Sequence, residues 1–248
     1  MTGPGGNPAD LAPVPITILF VVLVVAMGAL VVTGVRAASR RAGWSSRAGA
    51  ITALAIAGWL VVTATAAGAG LLADFRSLPP RFLLVFVPPL VALVALGRSR
   101  TILPLLAATP PSWLVHAQSF RIVVELVLWR LIVAGAVPEI MTFTGRNVDI
   151  VVGVTAPIVA YACFTRAAWP RGVALWWNVA GIMILVNTVL HAQAAAPTPL
   201  QVFVTEPPNT FIVSVPYVWL PAFLVPLAWG LHVLSIRQLR RLPTGRRP

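Results

Sequence analysis

Seven long apolar segments separated by short connections constrain the fold of this chain more than any other feature. They cover residues 14–35, 49–73, 80–97, 112–137, 148–165, 172–193 and 211–235. A helix needs about 20 apolar residues to cross a hydrocarbon layer about 30 Å thick, and the third and fifth segments are the shortest of the seven. The predicted fold class is therefore all-α membrane. We expect a seven-transmembrane-helix bundle that forms a single integral membrane domain over residues 1–248.

All 18 basic residues are arginine, and they are concentrated in alternate connections. The connections after the first, third, fifth and seventh segments hold thirteen: Arg36, Arg40, Arg41, Arg47, Arg98, Arg100, Arg166, Arg171, Arg237, Arg240, Arg241, Arg246 and Arg247. The other connections hold three, namely Arg76, Arg81 and Arg146, while Arg121 and Arg130 lie within the fourth segment. Because basic residues are enriched in cytoplasmic loops, this pattern predicts an outside N-terminus and a cytoplasmic C-terminus.

The composition excludes several classes of protein. Hydrophobic residues make up 58% of the chain and charged residues only 10%, whereas a soluble domain carries about 25% charged residues. The net charge of +12 is spread over four connections instead of one face, so no nucleic-acid partner is expected. The partner predicted instead is a lipid bilayer with anionic headgroups. Arginine without lysine, with abundant alanine and valine, is typical of a GC-rich bacterial gene and indicates a bacterial plasma membrane.

The fourth segment carries the strongest candidate site. Gln118, Arg121 and Glu125 recur at i, i+3 and i+7 and so form one stripe on a helix. Glu125 lies about 20 Å along that helix, close to the bilayer midplane. An unpaired charge there costs at least about 2.5–3.5 kcal/mol, so this acid must pair, become neutral or line water. A pair of Arg121 with Glu125 within the helix is available. The stripe is either a polar seam for a substrate or a proton, or a structural ion pair that locks the fourth helix to its neighbours.

A second group of polar residues is expected on the outer side, where it would form an approach to the seam. Asn147 is suited to cap the fifth helix, and an acid in the first turn complements the helix dipole. The loop 194–210 would either cover this vestibule as a lid or rest on lipid headgroups. The residues of the outer group are Glu139, Arg146, Asp149, Asn187, His191 and Glu206.

The histidines and the single cysteine argue against bound metals and cofactors. None of the three histidines is paired at i, i+3 or i+4, so a site built from His191 and the outer acids is a weak candidate and no metal is predicted. Cys163 is the only cysteine, which excludes a disulfide within the chain and a cysteine-based cluster. His116 and His232 are expected near the cytoplasmic side, facing headgroups. No cofactor is predicted.

Three prolines in the seventh segment predict how that helix packs. Pro216, Pro221 and Pro226 each remove a backbone donor and free the carbonyl four residues earlier. In hydrocarbon such carbonyls need other partners, so this helix is expected to be buried against its neighbours or to line a cavity.

Motif searches exclude familiar chemistries without naming another. The chain has no HExxH, no GxSxG and no Walker A motif, and without lysine it cannot bind retinal as a Schiff base. An enzyme therefore has no motif to support it. The stretches GRNVDIVVGVTAP and PYVWLPAFLVPLA resemble segments of small, uncharacterised bacterial multipass membrane proteins. The resemblance covers the C-terminal half of the chain and implies no activity.

Three functions stay open on this reasoning. The first is binding or transport of a small polar solute or ion through the polar seam. The second is an intramembrane enzyme that acts on a lipid or lipid-linked substrate, with an outer carboxylate and His191 as acid and base. The third is a non-catalytic assembly subunit whose stripe on the fourth helix docks a second membrane subunit.

Overall fold

The computed structural model describes residues 11–45 and 47–241, and all regular structure within these residues is helical. A 3-10 turn, Ala117–Ser119, joins α5 to α6, and π-helical turns, Tyr161–Thr165 and Leu220–Leu224, follow α7 and precede α9. The α-helices are α1 (Val14–Arg41), α2 (Arg47–Gly68), α3 (Leu83–Arg98), α4 (Leu103–Ala108), α5 (Pro111–His116), α6 (Phe120–Val133), α7 (Ile150–Ala160), α8 (Arg171–Ala195) and α9 (Val225–Arg241).

Four helices in the described residues are long and apolar enough to cross a membrane: Val14–Arg41, Arg47–Gly68, Arg171–Ala195 and Leu220–Arg241. Leu83–Arg98 and Ile150–Thr165 are apolar but shorter. The fourth predicted segment is helical over residues 111–133, although its first part changes to 3-10 geometry before α6. The all-helical, apolar character expected from the sequence is therefore confirmed, with four long candidate spans.

The predicted start of the seventh helix is wrong. The sequence indicates a helix from residue 211, but the chain forms a 3-10 turn, Phe211–Val213, followed by further turns, and the helix begins only at Leu220. Pro216 and Pro221 explain the difference, because a residue without an N–H cannot continue a helix but suits its first turn. Pro221 occupies such a first-turn position.

The helix ends meet at two opposite ends of the bundle. At one end, which we call the arginine-rich end, the Arg41 guanidinium donates to the carbonyl of Ala108 at 3.2 Å. At this end Gln238 of α9 also donates to the Thr109 carbonyl at 2.6 Å. At the opposite end, the hydroxyls of Thr17 and Tyr217 lie 2.9 Å apart. The first turns of α1 therefore lie beside the segment that leads into α9.

The π-helical turn and α9 form the most buried of the four long helices, and α2 is hydrogen-bonded to them. The Trp59 indole N–H donates to the Ala222 carbonyl at 2.9 Å, and the Trp219 indole N–H donates to the Leu60 carbonyl at the same distance. The Ala222 carbonyl is one of those that Pro226 deprives of a helical partner. This confirms that the proline-rich helix is packed against its neighbours.

Candidate functional site

The polar stripe on the fourth segment faces the interior of the bundle. The side chains of Gln118, Arg121 and Glu125 are all essentially inaccessible, at 0–1% exposure. Gln118 donates from Nε2 to the carbonyl of Ala228 on α9 at 3.0 Å. Gly153 allows α7 to approach α6 closely at this level, because a Cβ there would lie 3.0 Å from the backbone nitrogen of Ile122. The stripe is therefore enclosed by α7 and α9.

Arg121 pairs with Asp149, not with Glu125. Its Nη1 lies 2.8 Å from Oδ1 of Asp149, the residue immediately before α7. Within the described residues no ion pair joins Arg121 to Glu125, so the intrahelical pair that the spacing makes available does not form. The physical reason is that Asp149 brings a second buried acid to the same point from a neighbouring helix. The guanidinium satisfies that acid through a charge-assisted hydrogen bond.

Asn147 holds the Glu125 carboxyl in place. Its amide Nδ2 donates to Oε1 of Glu125 and, at 3.0 Å, to the carbonyl of Met141. Its Oδ1 accepts from the Thr188 hydroxyl of α8 at 2.8 Å and from the backbone N–H of Asp149 at 3.0 Å. Asn147 was expected as the N-cap of this helix, but α7 begins at Ile150 and Asp149 occupies the cap position. The asparagine therefore links α6, α8 and the start of α7.

Several buried atoms of this group have no hydrogen-bond partner among the described residues: Glu125 Oε2, Arg121 Nε and Nη2, and Gln118 Oε1. The backbone of Phe143 also faces the Glu125 carboxyl, but Oε2 makes no hydrogen bond. Leaving a buried polar atom unsatisfied costs about 1–3 kcal/mol. These atoms are therefore the points at which a water, ion or ligand would be held most favourably.

A cavity of about 80 Å³ adjoins the Glu125 carboxyl, and we call it the Glu125 cavity. Glu125, Asn147, Asp149 and Thr188 supply polar atoms to its wall, and most other lining residues are apolar. Phe82 and Phe86 belong to the apolar part, together with residues of α6, α8 and the turn before α9. A single water needs about 10–15 Å³ on this measure, so the cavity has room for several waters or a small solute.

A second buried polar cluster lies between α8 and α9. His232 Nδ1 lies 2.8 Å from Oδ1 of Asn178, whose Nδ2 donates to the Ser235 hydroxyl at 3.0 Å. All three residues are at most 1% exposed. Gln118 of the stripe donates to the carbonyl of Ala228, which lies one turn before His232 on α9. The cluster therefore continues the polar stripe across the bundle.

The expectation that His232 faces lipid headgroups is wrong. Its ring packs directly on Gly181 of α8, where any larger residue would collide with it. The spacing along α9 carries a signal that would have found this, because the buried residues recur at helical intervals: Ala228, Leu231, His232, Ser235 and Gln238. That face packs toward the interior of the bundle, and His232 lies on it.

The six residues of the predicted outer vestibule separate into three groups. Asp149 belongs to the buried stripe, whereas Glu139 and Glu206 are exposed and form no ion pair within the described residues. The remaining three gather around Phe203 of the loop after α8. The Arg146 guanidinium lies 5.0 Å from the Phe203 ring centroid, and the His191 ring stacks on Phe203 at 5.7 Å. Asn187 completes this group by donating to the Arg146 carbonyl at 3.3 Å.

The contacts of Phe203 bear on the two interpretations of the loop 194–210. Because the ring lies between Arg146 and His191, this part of the loop packs against the connection before α7 and the end of α8. Val202 and Val204 point the other way and are 70% and 88% exposed. The loop therefore has one face on the protein and one apolar face open to its surroundings.

Across the described residues, no three His, Cys, Asp or Glu side chains are arranged to hold a metal ion.

We expect Asp149→Asn to lower the free energy of unfolding by about 3–5 kcal/mol, because it leaves the Arg121 guanidinium buried without a countercharge. The matched control is Glu139→Gln, which removes an exposed carboxyl without an ion pair. Unfolding of both variants in mixed detergent micelles, followed by tryptophan fluorescence, measures the effect. Equal stability of Asp149→Asn and the control would contradict a structural role for the pair.

Comparison with known proteins identifies a family but no activity. Residues 79–240 match the family model described as a domain of unknown function, DUF8737. No curated protein and no solved structure matches the chain. The matched region runs from just before α3 almost to the end of α9 and contains every residue of the buried stripe, the Glu125 cavity and the His232 cluster. Because the match covers more than half of its length, the chain belongs to the DUF8737 family of proteins of unknown function.

Proposed function

We propose that this protein is a multipass protein of the bacterial plasma membrane that binds and moves a small cation or amine through the Glu125 cavity. One observation carries the proposal. Glu125 is 1% exposed and lines a cavity, and one of its carboxyl oxygens has no hydrogen-bond partner in the described residues. A mostly apolar cavity with a few convergent polar groups is the usual form of a small-molecule site.

The charges around the cavity favour a cationic ligand. Arg121 and Asp149 compensate each other at 2.8 Å, whereas the described groups that meet the Glu125 carboxyl, the Asn147 amide and the Phe143 backbone, are both neutral. A carboxylate without a cation in an apolar interior is costly. A proton, a monovalent ion or a protonated amine would remove that cost, whereas an anion would be repelled by both carboxylates.

The polar residues beyond the cavity favour movement of the ligand over binding alone. They continue from the Glu125 cavity toward the arginine-rich end and cross from α6 to α8 and α9. Such buried polar residues are unusual in a membrane interior and commonly mark ion or proton pathways. The residues of this continuation are Gln118, Arg121, His232, Asn178, Ser235 and Gln238.

The membrane arrangement that we propose has seven crossings with the arginine-rich end in the cytoplasm. Several of the short or irregular segments, namely α5 to α6, α7 and the turn before α9, lie next to the polar groups. Irregular helical backbone is tolerated at membrane depth when it is buried in protein or lines a cavity. The excess of arginine at one end then sets the orientation.

Burial of the stripe weakens the assembly alternative, because Gln118, Arg121 and Glu125 offer no surface to a second subunit. The enzyme alternative is also weakened, because no described contact joins His191 to an outer carboxylate. His191 Nδ1 lies 2.8 Å from the Asn187 carbonyl, and the ring stacks on Phe203. The exposed acids Glu139 and Glu206 make no described ion pair or hydrogen bond with it.

Glu125→Gln is expected to reduce cation flux to that of protein-free liposomes, because it replaces the carboxyl with a neutral group of the same shape. Two probes are used in proteoliposomes: protons, detected by a trapped pH-sensitive dye under a potassium diffusion potential, and radiolabelled ethylammonium. Glu139→Gln is the matched control and should keep wild-type flux. Wild-type flux of both probes through Glu125→Gln would contradict the proposal.

Single cysteines in a Cys163→Ser background test the proposed orientation. A membrane-impermeant maleimide added to intact spheroplasts should label Glu206→Cys and leave Arg166→Cys unlabelled, since these exposed positions are expected on opposite sides. Lysis should expose both positions to the reagent and controls for their reactivity. Labelling of residue 166 in intact spheroplasts would contradict the orientation.

A further inference from the structure

A basic pocket of about 380 Å³ lies between the end of α3 and the last turns of α9. Arg98, Arg237, Arg240 and Arg241 line it, and none of the acidic residues that the structure describes does. We propose that this basic pocket binds the phosphate group of an anionic phospholipid from the membrane leaflet at the arginine-rich end. The inference rests on the membrane location proposed above but not on the Glu125 cavity.

The charges of the pocket are uncompensated within the part of the chain that the structure describes. In residues 11–45 and 47–241 none of its four arginines forms an ion pair with a carboxylate. Four like charges around one small volume repel each other, and a bound phosphate would relieve that repulsion through charge-assisted hydrogen bonds. Guanidinium groups match the geometry of phosphate oxygens through paired N–H donors.

Arg237 gives the pocket a fixed wall. Its Nη1 donates to the carbonyl of Gly97 at 2.6 Å and to that of Leu96 at 3.3 Å, at the last turn of α3. The guanidinium is therefore held at the carbonyl end of a helix, where a cation is favoured. Because Arg237 is already fixed by these bonds, less side-chain entropy is lost when its remaining N–H groups meet a phosphate.

The surroundings of the pocket favour a lipid over free phosphate. Val233 and Ile236 are part of its lining, next to the arginines. Val94 on α3 lies about one turn before Arg98 and is 42% exposed. A ligand at this place therefore meets a cationic pocket and open apolar side chains together. An anionic phospholipid offers a matching phosphate and hydrocarbon in one molecule.

The test compares two double variants with equal loss of charge at the same end of the bundle. Arg240→Gln/Arg241→Gln removes two exposed arginines from the pocket. Arg40→Gln/Arg47→Gln removes two exposed arginines from the end of α1 and the start of α2, outside the pocket. Delipidated protein in a nonionic detergent is titrated with phosphatidylglycerol or phosphatidylcholine, and the bound lipid is counted by native mass spectrometry.

The pocket variant should bind phosphatidylglycerol on the order of tenfold more weakly than the wild type, whereas the control should change less than twofold. Phosphatidylcholine should bind weakly to all three proteins. An equal loss in both double variants would overturn the proposal, since it would mean a diffuse charge effect. Full displacement of phosphatidylglycerol by millimolar inorganic phosphate would overturn it as well, in favour of a free anion.

Two further measurements keep the result specific. Thermal unfolding without lipid should be the same for both double variants, because the four substituted side chains are exposed. The Glu125→Gln protein should bind phosphatidylglycerol as the wild type does. Failure of the flux assay and failure of lipid binding are therefore separate results, each of which counts against its own proposal.

Discussion

The ion pair between Arg121 and Asp149 is the interaction on which the interior of this bundle depends. It joins α6 to the start of α7 at a place where both side chains are almost completely buried. Removing either partner would leave an uncompensated charge in an apolar environment, which is far more costly than losing the pair together. Because Arg121 is bound to Asp149, the Glu125 carboxyl has no cation beside it among the described residues: Asn147 donates to Oε1, Oε2 has no hydrogen-bond partner, and the residue lines the cavity.

The helices of the bundle are irregular, and backbone carbonyls that lack a helical hydrogen bond accept one from a neighbouring side chain. Pro226 leaves the Ala222 carbonyl without a helical donor, and the Trp59 indole N–H of α2 donates to this carbonyl at 2.9 Å. Gln238 donates to the Leu106 and Thr109 carbonyls at the C-terminal end of the short helix α4. Side-chain donors thus replace the missing helical bonds, which allows broken helices to surround a polar centre at low cost.

Apolar length and periodicity were sufficient to predict the all-helical, apolar character of the chain and the grouping of Gln118, Arg121 and Glu125 on one stripe. It could not supply the partner of Arg121, since periodicity identifies a face but not the neighbour that the face meets. In the sequence, Asp149 has the position of an acid in the first turn of a helix, where it would complement the helix dipole beside a capping Asn147. The prediction for His232 is wrong because position along the helix does not show which face a residue occupies, and His232 shares a buried face with Ser235. The predicted start of the seventh helix lies too early in the sequence because the apolar residues around Pro216 have the pattern of a continuous span.

The most direct test of this account measures whether the Arg121 guanidinium touches a carboxylate in the membrane-embedded protein. Solid-state NMR dephasing between ¹⁵N-labelled arginine side chains and ¹³C-labelled aspartate carboxyls reports only close pairs. The Asp74→Asn variant removes the exposed Arg81–Asp74 contact at 3.2 Å, the other such pair among the described residues. We predict that the dephasing of a directly hydrogen-bonded pair persists in that variant and disappears when Asp149 is also replaced by asparagine. Absence of dephasing in the Asp74→Asn protein would contradict the account.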